Sequence, residues 1–350
     1  MRAVLMEAVG EPLRVASVAE PEPGPRDAVL DVTACGVCRS DWHLWQGDWS
    51  WEGISVELPR ILGHEASGAV RSVGAEVVAV TPGMNVCVPF HEACGRCAVC
   101  VSGRTHICPY AEYLGSTHDG AFAQQVRVAN ADLNCIPLPA GVDPVEAAAM
   151  GCRYMTAWHA VAHRARAAAG EWAVVYGCGG LGLSLVQILS VLGVQVVAVD
   201  VDTERLAFAA RLGARHGVNS AKDDPVRATL DMTEGGAHMS FDALGSSATF
   251  LSGIGSLRAG GRHVQVGLTS SSDAGTGAIP LDRITFREIE VLGSIGNPVH
   301  AYPELLRLVA GGTLRPREIV TRTLALDEVP EAIHSMSSYG LAGLVVATSF

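Results

Sequence analysis

The chain has 350 residues, enough for about two domains with cores of their own at roughly 150 residues each. Hydrophobic residues make up 49% and charged residues 17%, which excludes a disordered chain. Acids outnumber Lys plus Arg by 36 to 25, a net charge of −11 with no basic run, which excludes nucleic acid and anionic membrane surfaces as partners.

The N-terminus, Met1-Arg2-Ala3-Val4-Leu5-Met6-Glu7, meets an acid early and lacks the apolar core of a leader. Ten cysteines in such a chain predict a reducing compartment, hence a cytoplasmic protein whose cysteines are metal ligands or small core residues and not disulfides. Up to about residue 150 the sequence reads as short strands with Pro/Gly punctuation. Ala28–Thr33, Ser67–Val73 and Asn85–Pro89 are examples, joined by turns such as Pro82-Gly83. Trp42, Trp45, Trp49 and Trp51 crowd one loop region, either as a local aromatic cluster or, for Trp49, as an apolar wall of a substrate pocket. Cys94, Cys97, Cys100 and Cys108 follow, separated by two, two and seven residues. A redox pair needs two cysteines. Four at this spacing read as a closed tetrahedral Cys₄ zinc that holds a loop together. Cys35, Cys87, Cys135 and Cys178 read as small core residues.

From about Met155 the rhythm changes to alternating apolar strands and helical stretches. Trp172 to Val199 is uncharged for 28 residues, long enough for a membrane span. Gly177, Gly179, Gly180 and Gly182 interrupt it and its ends are β-branched, so it reads instead as strand Trp172–Tyr176, helix Leu181–Leu192 and strand Gln195–Asp200. A helix over Thr203–Leu212, capped by Thr203, comes next. Strands over Phe241–Leu244 and His263–Gly267 flank a helix over Ser246–Arg258, and a Ser/Gly-rich loop covers Thr269–Gly277. After about Gly296 the βα rhythm stops; Asp327 caps a short helix to about Met336, and Leu344–Thr348 ends the chain as a strand. There is no internal repeat. These patterns predict an α/β protein in which a doubly wound domain interrupts a β-rich one.

Gly177-Cys178-Gly179-Gly180-Leu181-Gly182 follows a predicted strand and opens a predicted helix. That context lets backbone N–H groups approach a pyrophosphate at the helix N-terminus. Asp200 ends the next strand, 18 residues past Gly182, where a carboxylate accepts hydrogen bonds from adenosine ribose hydroxyls. With Asp202 close behind and Arg205 the first cation, a 2′-phosphate meets like charge, so the coenzyme expected is NAD.

With these residues assembled, the chain resembles the zinc-dependent alcohol dehydrogenases of the medium-chain dehydrogenase/reductase superfamily. The resemblance runs from the first strand to about residue 348. It is carried by Gly36-Val37-Cys38-Arg39-Ser40-Asp41, Gly63-His64-Glu65, the Cys₄ lobe, Gly151-Cys152 and the glycine loop. It implies a GroES-like catalytic domain over residues 1–153 and 297–350, and a Rossmann NAD-binding domain over 154–296. It implies two zinc ions per chain, the second held by Cys38, His64 and Cys152 with one position open for substrate. Glu65 is then an alternative or transient ligand, and Asp41 accepts from the other nitrogen of His64 and fixes its tautomer. Ser40 and His43 match the family's proton relay, and Arg39 a position on the coenzyme pyrophosphate; Gly267 and Arg205, which could fold back on the ribose, are further coenzyme candidates. Phe90 and Trp49 match positions lining the pocket.

The implied reaction moves a hydride between a primary or secondary alcohol and NAD, or in reverse reduces an aldehyde or ketone. The implied assembly is a homodimer or homotetramer, for which the apolar strand Ile289–Leu292 could pair across a twofold axis. One departure stands out: Gly343-Leu344 replaces the Gly-Arg that the family often carries on the pyrophosphate. Two other readings remain open at this point. One is a polyol or amino-alcohol dehydrogenase, although polyol types often carry glutamate where Cys152 stands. The other is a non-catalytic NAD- and zinc-binding protein, which has no use for a Ser40–His43 relay.

Overall fold

The computed structural model describes residues 1–338 and 342–350, which divide into two compact units. One comprises Met1–Met155 and Gly296–Phe350, the other Thr156–Ile295.

The first unit is organised by the strand Ala28–Val37, whose residues are nearly all buried. It pairs antiparallel with Glu65–Val73, Gln125–Val128 and the C-terminal strand Leu344–Ser349, within a seven-stranded sheet. The strand runs four residues past its predicted end at Thr33. Ala34, Cys35 and Gly36 carry no strand-like alternation, yet they pair with Ser67, Ala66 and Glu65. Leu30, Leu62, Phe122, Leu326 and Ile333 are fully buried beside this sheet. At about 1.5–3 kcal/mol for each buried aliphatic side chain, this packing and not local propensity holds the unit together. The predicted strand to Pro89 stops at Cys87, since proline has no N–H to give a ladder.

The second unit is a six-stranded parallel sheet. In space its order is His216–Asn219, Gln195–Asp200, Trp172–Tyr176, Ala237–Asp242, Leu257–Gln265 and Glu290–Gly293. Numbered along the chain this is 3-2-1-4-5-6, the doubly wound order. Its switch point lies between Trp172–Tyr176 and Ala237–Asp242, at their C-terminal ends. The uncharged stretch from Trp172 resolves as the expected strand, loop, helix (Gly180–Val191) and strand. No helix among the described residues is long and apolar enough to cross a membrane.

The helix Thr203–Arg211 is capped by Asp202, not by Thr203 as the sequence suggested. The Asp202 carboxylate accepts from the N–H groups of Glu204 and Arg205, at 2.8 and 3.4 Å. A carboxylate reaches two amides where a threonine hydroxyl one residue later reaches neither. Asp202→Ala is therefore expected to lower unfolding free energy by about 1 kcal/mol in chemical denaturation, with an unchanged m-value.

Candidate functional site

Sheet register brings the first ligand group together. Cys38 follows the end of Ala28–Val37, His64 precedes the start of Glu65–Val73, and Gly36 lies opposite Glu65 in the antiparallel pair. Both ligand segments therefore emerge at one end of neighbouring strands. Cys152 arrives on a wide helical turn, Met150–Tyr154, of the kind concentrated at functional sites. This turn reaches the strand because residue 151 is glycine: a Cβ there would stand 2.8 Å from the Glu65 Cα. The Asn297 amide donates to the Gly151 carbonyl and also to the Tyr302 hydroxyl, 2.9 Å away, bracing the turn.

The ligand atoms of Cys38, His64, Glu65 and Cys152 all lie within 4.8 Å of one another. Asp41 is fully buried and accepts from three groups: His64 Nδ1 at 2.8 Å, the Gly63 N–H at 3.1 Å and the Cys38 N–H at 3.0 Å. His64 must then carry its proton on Nδ1. Nε2 is left buried without a hydrogen-bond partner in the same cluster as the two thiols, an arrangement that fits a metal-binding histidine. The Cys38 thiol is held well below its ordinary pKa by the Cys152 thiol bonded to it, with help from Arg153 and His64, and Cys152 moves the opposite way. Two soft sulfurs and one imidazole nitrogen suit zinc.

Glu65 is occupied by Arg153. Its carboxylate takes the Arg153 Nη2 at 2.6 Å, Nε at 2.9 Å and the Arg153 N–H at 3.2 Å. Burial pushes this carboxyl up, opposed by the guanidinium. As a zinc ligand, Glu65 would have to leave a two-pronged ion pair in a dry site. Nothing in the motif Gly63-His64-Glu65 pointed to Arg153; the signal available was an arginine next to a ligand cysteine.

The second group is Cys94, Cys97, Cys100 and Cys108. Its sulfurs stand 4.0 Å apart for Cys94–Cys100, 3.8 Å for Cys97–Cys108 and 3.5 Å for Cys94–Cys108. A zinc ion with four sulfurs at 2.3 Å has tetrahedral edges of roughly 3.8 Å. The Arg96 N–H, first among several hydrogen bonds, brings the Cys94 thiol down to about 6. The remaining cysteines, Cys35, Cys87, Cys135 and Cys178, are buried free thiols.

Helix Arg39–Gln46 carries the relay candidates. Ser40 and His43 sit three residues apart, on one face. The Ser40 hydroxyl lies 3.8 Å from the Cys38 sulfur. His43 is clamped: Nδ1 is 2.7 Å from Asp48 Oδ2, the Trp49 ring stacks on it at 4.8 Å, and Trp42 meets it edge-on at 5.0 Å. Burial pulls its pKa below the ordinary histidine value, with Asp48 working against that pull. Trp49, expected to line a pocket, thus packs on the His43 ring. Phe90 lies edge-on to the His64 ring at 5.7 Å, beside the ligand group. Arg39 stacks over Trp42 at 4.2 Å and donates to the Met336 carbonyl.

In the other unit the glycine loop occupies the switch point. Gly177 has φ +91°, and a Cβ on Gly182 would stand 1.7 Å from the Gly177 carbonyl oxygen, so neither position admits a side chain. Leu181 lies in the first turn of the helix Gly180–Val191, which begins at Gly179 with no side-chain cap, leaving its N–H groups available to an anion. Asp200 Oδ2 accepts from the Cys178 N–H at 2.7 Å, fastening the acid to the loop. Arg205 lies 3.8 Å from Asp202, and Gly267 donates its N–H to the Asp242 carbonyl across the sheet.

The two metal groups predict opposite losses. Cys38→Ala is expected to keep one zinc per chain and its melting temperature while turnover falls at least about tenfold. Cys100→Ala is expected to lose the other zinc and to aggregate or melt on the order of 10 °C lower. Metal analysis and calorimetry of both variants check this.

Comparison with known proteins agrees with the geometry. The family model described as alcohol dehydrogenase GroES-like domain matches residues 24–140, and that described as zinc-binding dehydrogenase matches residues 180–311. An alcohol dehydrogenase of Geobacillus stearothermophilus is 32% identical over 347 residues, 99% of this chain and 98% of that protein. An NAD-dependent alcohol dehydrogenase of Sulfurisphaera tokodaii is 32% identical over 349 residues, 98% of each. Among solved structures, alcohol dehydrogenase TADH from Thermus sp. ATN1 superposes with a TM-score of 0.91 at 31% identity, covering 100% of both chains. The alcohol dehydrogenase of Aeropyrum pernix gives a TM-score of 0.89 at 32% identity over 99% of this chain and 100% of that one. The chain belongs to the zinc-dependent alcohol dehydrogenases, with a GroES-like unit and a Rossmann unit in one polypeptide.

Proposed function

We propose that this protein is an NAD-dependent alcohol dehydrogenase that oxidises primary or secondary alcohols and, in reverse, reduces aldehydes or ketones. The observation that carries the reading is the Cys38, His64 and Cys152 group, with its unpartnered His64 nitrogen, next to the helix bearing Ser40 and His43. A non-catalytic protein needs no open ligand position beside a hydroxyl and an imidazole. The catalytic unit is then residues 1–153 with 297–350, and the coenzyme unit residues 154–296.

Zinc at this group would supply Lewis acidity to the alcohol oxygen, and NAD would accept the hydride. The chain's own residues do the rest. Asp41 keeps His64 in the tautomer that presents Nε2. Arg153 holds the Glu65 carboxylate in an ion pair, leaving the three-ligand set its open position. The Ser40 hydroxyl takes the alcohol proton and hands its own towards His43. Burial keeps His43 below the usual histidine pKa, so its ring stays neutral and able to accept. Phe90 presents an apolar face beside His64 to a substrate carbon chain. At the coenzyme, the uncapped helix start receives the pyrophosphate and Asp200 the adenosine ribose; Leu344 supplies no cation for the pyrophosphate.

The assembly we infer is a homo-oligomer. Glu290–Gly293 is the outermost strand of its sheet, and Phe286, Leu281 and Val291 near it are 87%, 69% and 43% exposed. An apolar edge of this kind is matched by a second copy across a twofold axis. Sedimentation as a monomer would overturn this. Ten cysteines with no disulfide among them suit the reducing cytoplasm.

Activity with a panel of primary and secondary alcohols and aldehydes, followed through NADH absorbance, tests the proposal; no turnover with any of them would sink it. Comparing kcat/KM for the two coenzymes tests Asp200, and a preference for NADP would remove it from the ribose site. His43→Ala is expected to slow alcohol oxidation most below about pH 8, where hydroxide cannot replace the relay. A flat ratio to wild type across pH would take His43 out of the mechanism.

A further inference from the structure

Asp48 lies outside the motifs that carry the family likeness, yet it has a built place. The helix Arg39–Gln46 ends at Gly47, whose φ of +73° turns the chain back over the last helical turn. The Asp48 N–H then bonds the His43 carbonyl at 3.0 Å, while the Asp48 carboxylate bonds the His43 ring at 2.7 Å. Both side chains are buried, at 7% and 9% exposure. Trp49 takes a left-handed backbone, φ +70°, which costs a non-glycine residue of order 1–2 kcal/mol. That conformation is what lays its ring on the imidazole.

We propose that Asp48 is a positioning residue for proton transfer: it holds the His43 proton on Nδ1 and so presents Nε2 as the acceptor. The inference rests on the alcohol dehydrogenase reading above and deepens it. An ionised carboxylate can only accept, so the ring nitrogen facing it must donate. No hydrogen bond occupies Nε2 among the described residues. In the relay the alcohol O–H bond breaks, Ser40 gains that proton and gives up its own, and the proton so released ends in a new N–H bond at Nε2. The imidazolium that results sits against the Asp48 carboxylate. Reprotonation of the product in the reverse reaction takes the same proton back. Arg39 opposes a cation on the ring and Cys38 favours it, but Asp48 is the acid in direct contact with the imidazole, 2.7 Å from Nδ1.

The test is Asp48→Asn in the zinc-loaded enzyme, a substitution that keeps the size and removes the charge. Expected is a fall in kcat for alcohol oxidation of at least about tenfold, with KM for alcohol and for NAD unchanged and two zinc ions retained. In a His43→Ala background the same substitution is expected to change kcat less than about twofold, because the acid then has nothing to position. The imidazole ¹⁵N spectrum of the wild-type protein, read without turnover, should show His43 protonated at Nδ1. Wild-type kcat in Asp48→Asn, an equal loss in the His43→Ala background, or an Nε2-protonated ring would each overturn the inference while leaving the alcohol dehydrogenase reading intact. Two zinc ions and full turnover in Cys38→Ala, alongside a wild-type His43 protonated at Nδ1, would instead count against the metal site and leave this dyad standing.

Discussion

One buried carboxylate fixes the geometry on which the metal centre depends. Asp41 has no exposure to solvent, and its two oxygens are filled by the Cys38 N–H, the Gly63 N–H and the His64 ring. It therefore ties the first turn of one helix to the mouth of a neighbouring strand. Two ligands from distant parts of the chain hang on that tie. In a low-dielectric interior each of these bonds to a charged acceptor contributes more than a neutral one, and none can be surrendered to water. Movement of Asp41 would turn the histidine and displace the cysteine backbone together.

Around this tie the sheet acts as a jig. Antiparallel register brings Cys38 and His64 out at the same end of paired strands, glycine at 151 lets the Cys152 segment close to contact, and Asn297 and Tyr302 brace that segment from the C-terminal part of the chain. The other unit repeats the logic with backbone in place of side chains. Gly177 and Gly182 shape the loop, and Asp200 is fastened to it through the Cys178 amide.

What the sequence made legible follows from how local each signal is. The Cys₄ spacing and the glycine loop are contiguous, so their chemistry can be read from neighbours in the chain. Gln195–Asp200 and Trp172–Tyr176 are unbroken apolar runs, and the structure places them at the same residues. The strand His216–Asn219 went unseen because Val218 is its one buried apolar side chain. Leu257–Gln265 begins six residues before its predicted start because Arg258-Ala259-Gly260-Gly261 has no periodicity; its place is set by pairing with Ala237 and Met239. The catalytic-zinc candidates came only through family likeness, since Cys38, His64 and Cys152 meet by sheet register. Arg153 and Asp48 escaped for a related reason: each acts by facing a partner, and an isolated charge in a sequence does not say what it faces.

The Cys₄ lobe sets a different kind of limit. Its only buried apolar residues are Ala93, Cys100 and Cys108, while Val101 and Tyr110 are 76% and 71% exposed. Such a loop has almost no core to resist opening, so its persistence is governed by how slowly metal leaves and not by the barrier to unfolding the whole chain. The lobe and the sheet that carries it can then age at separate rates. A protein stored with a chelator would lose this lobe on a clock of ligand exchange, long before heat or denaturant could report any weakness in the sheets.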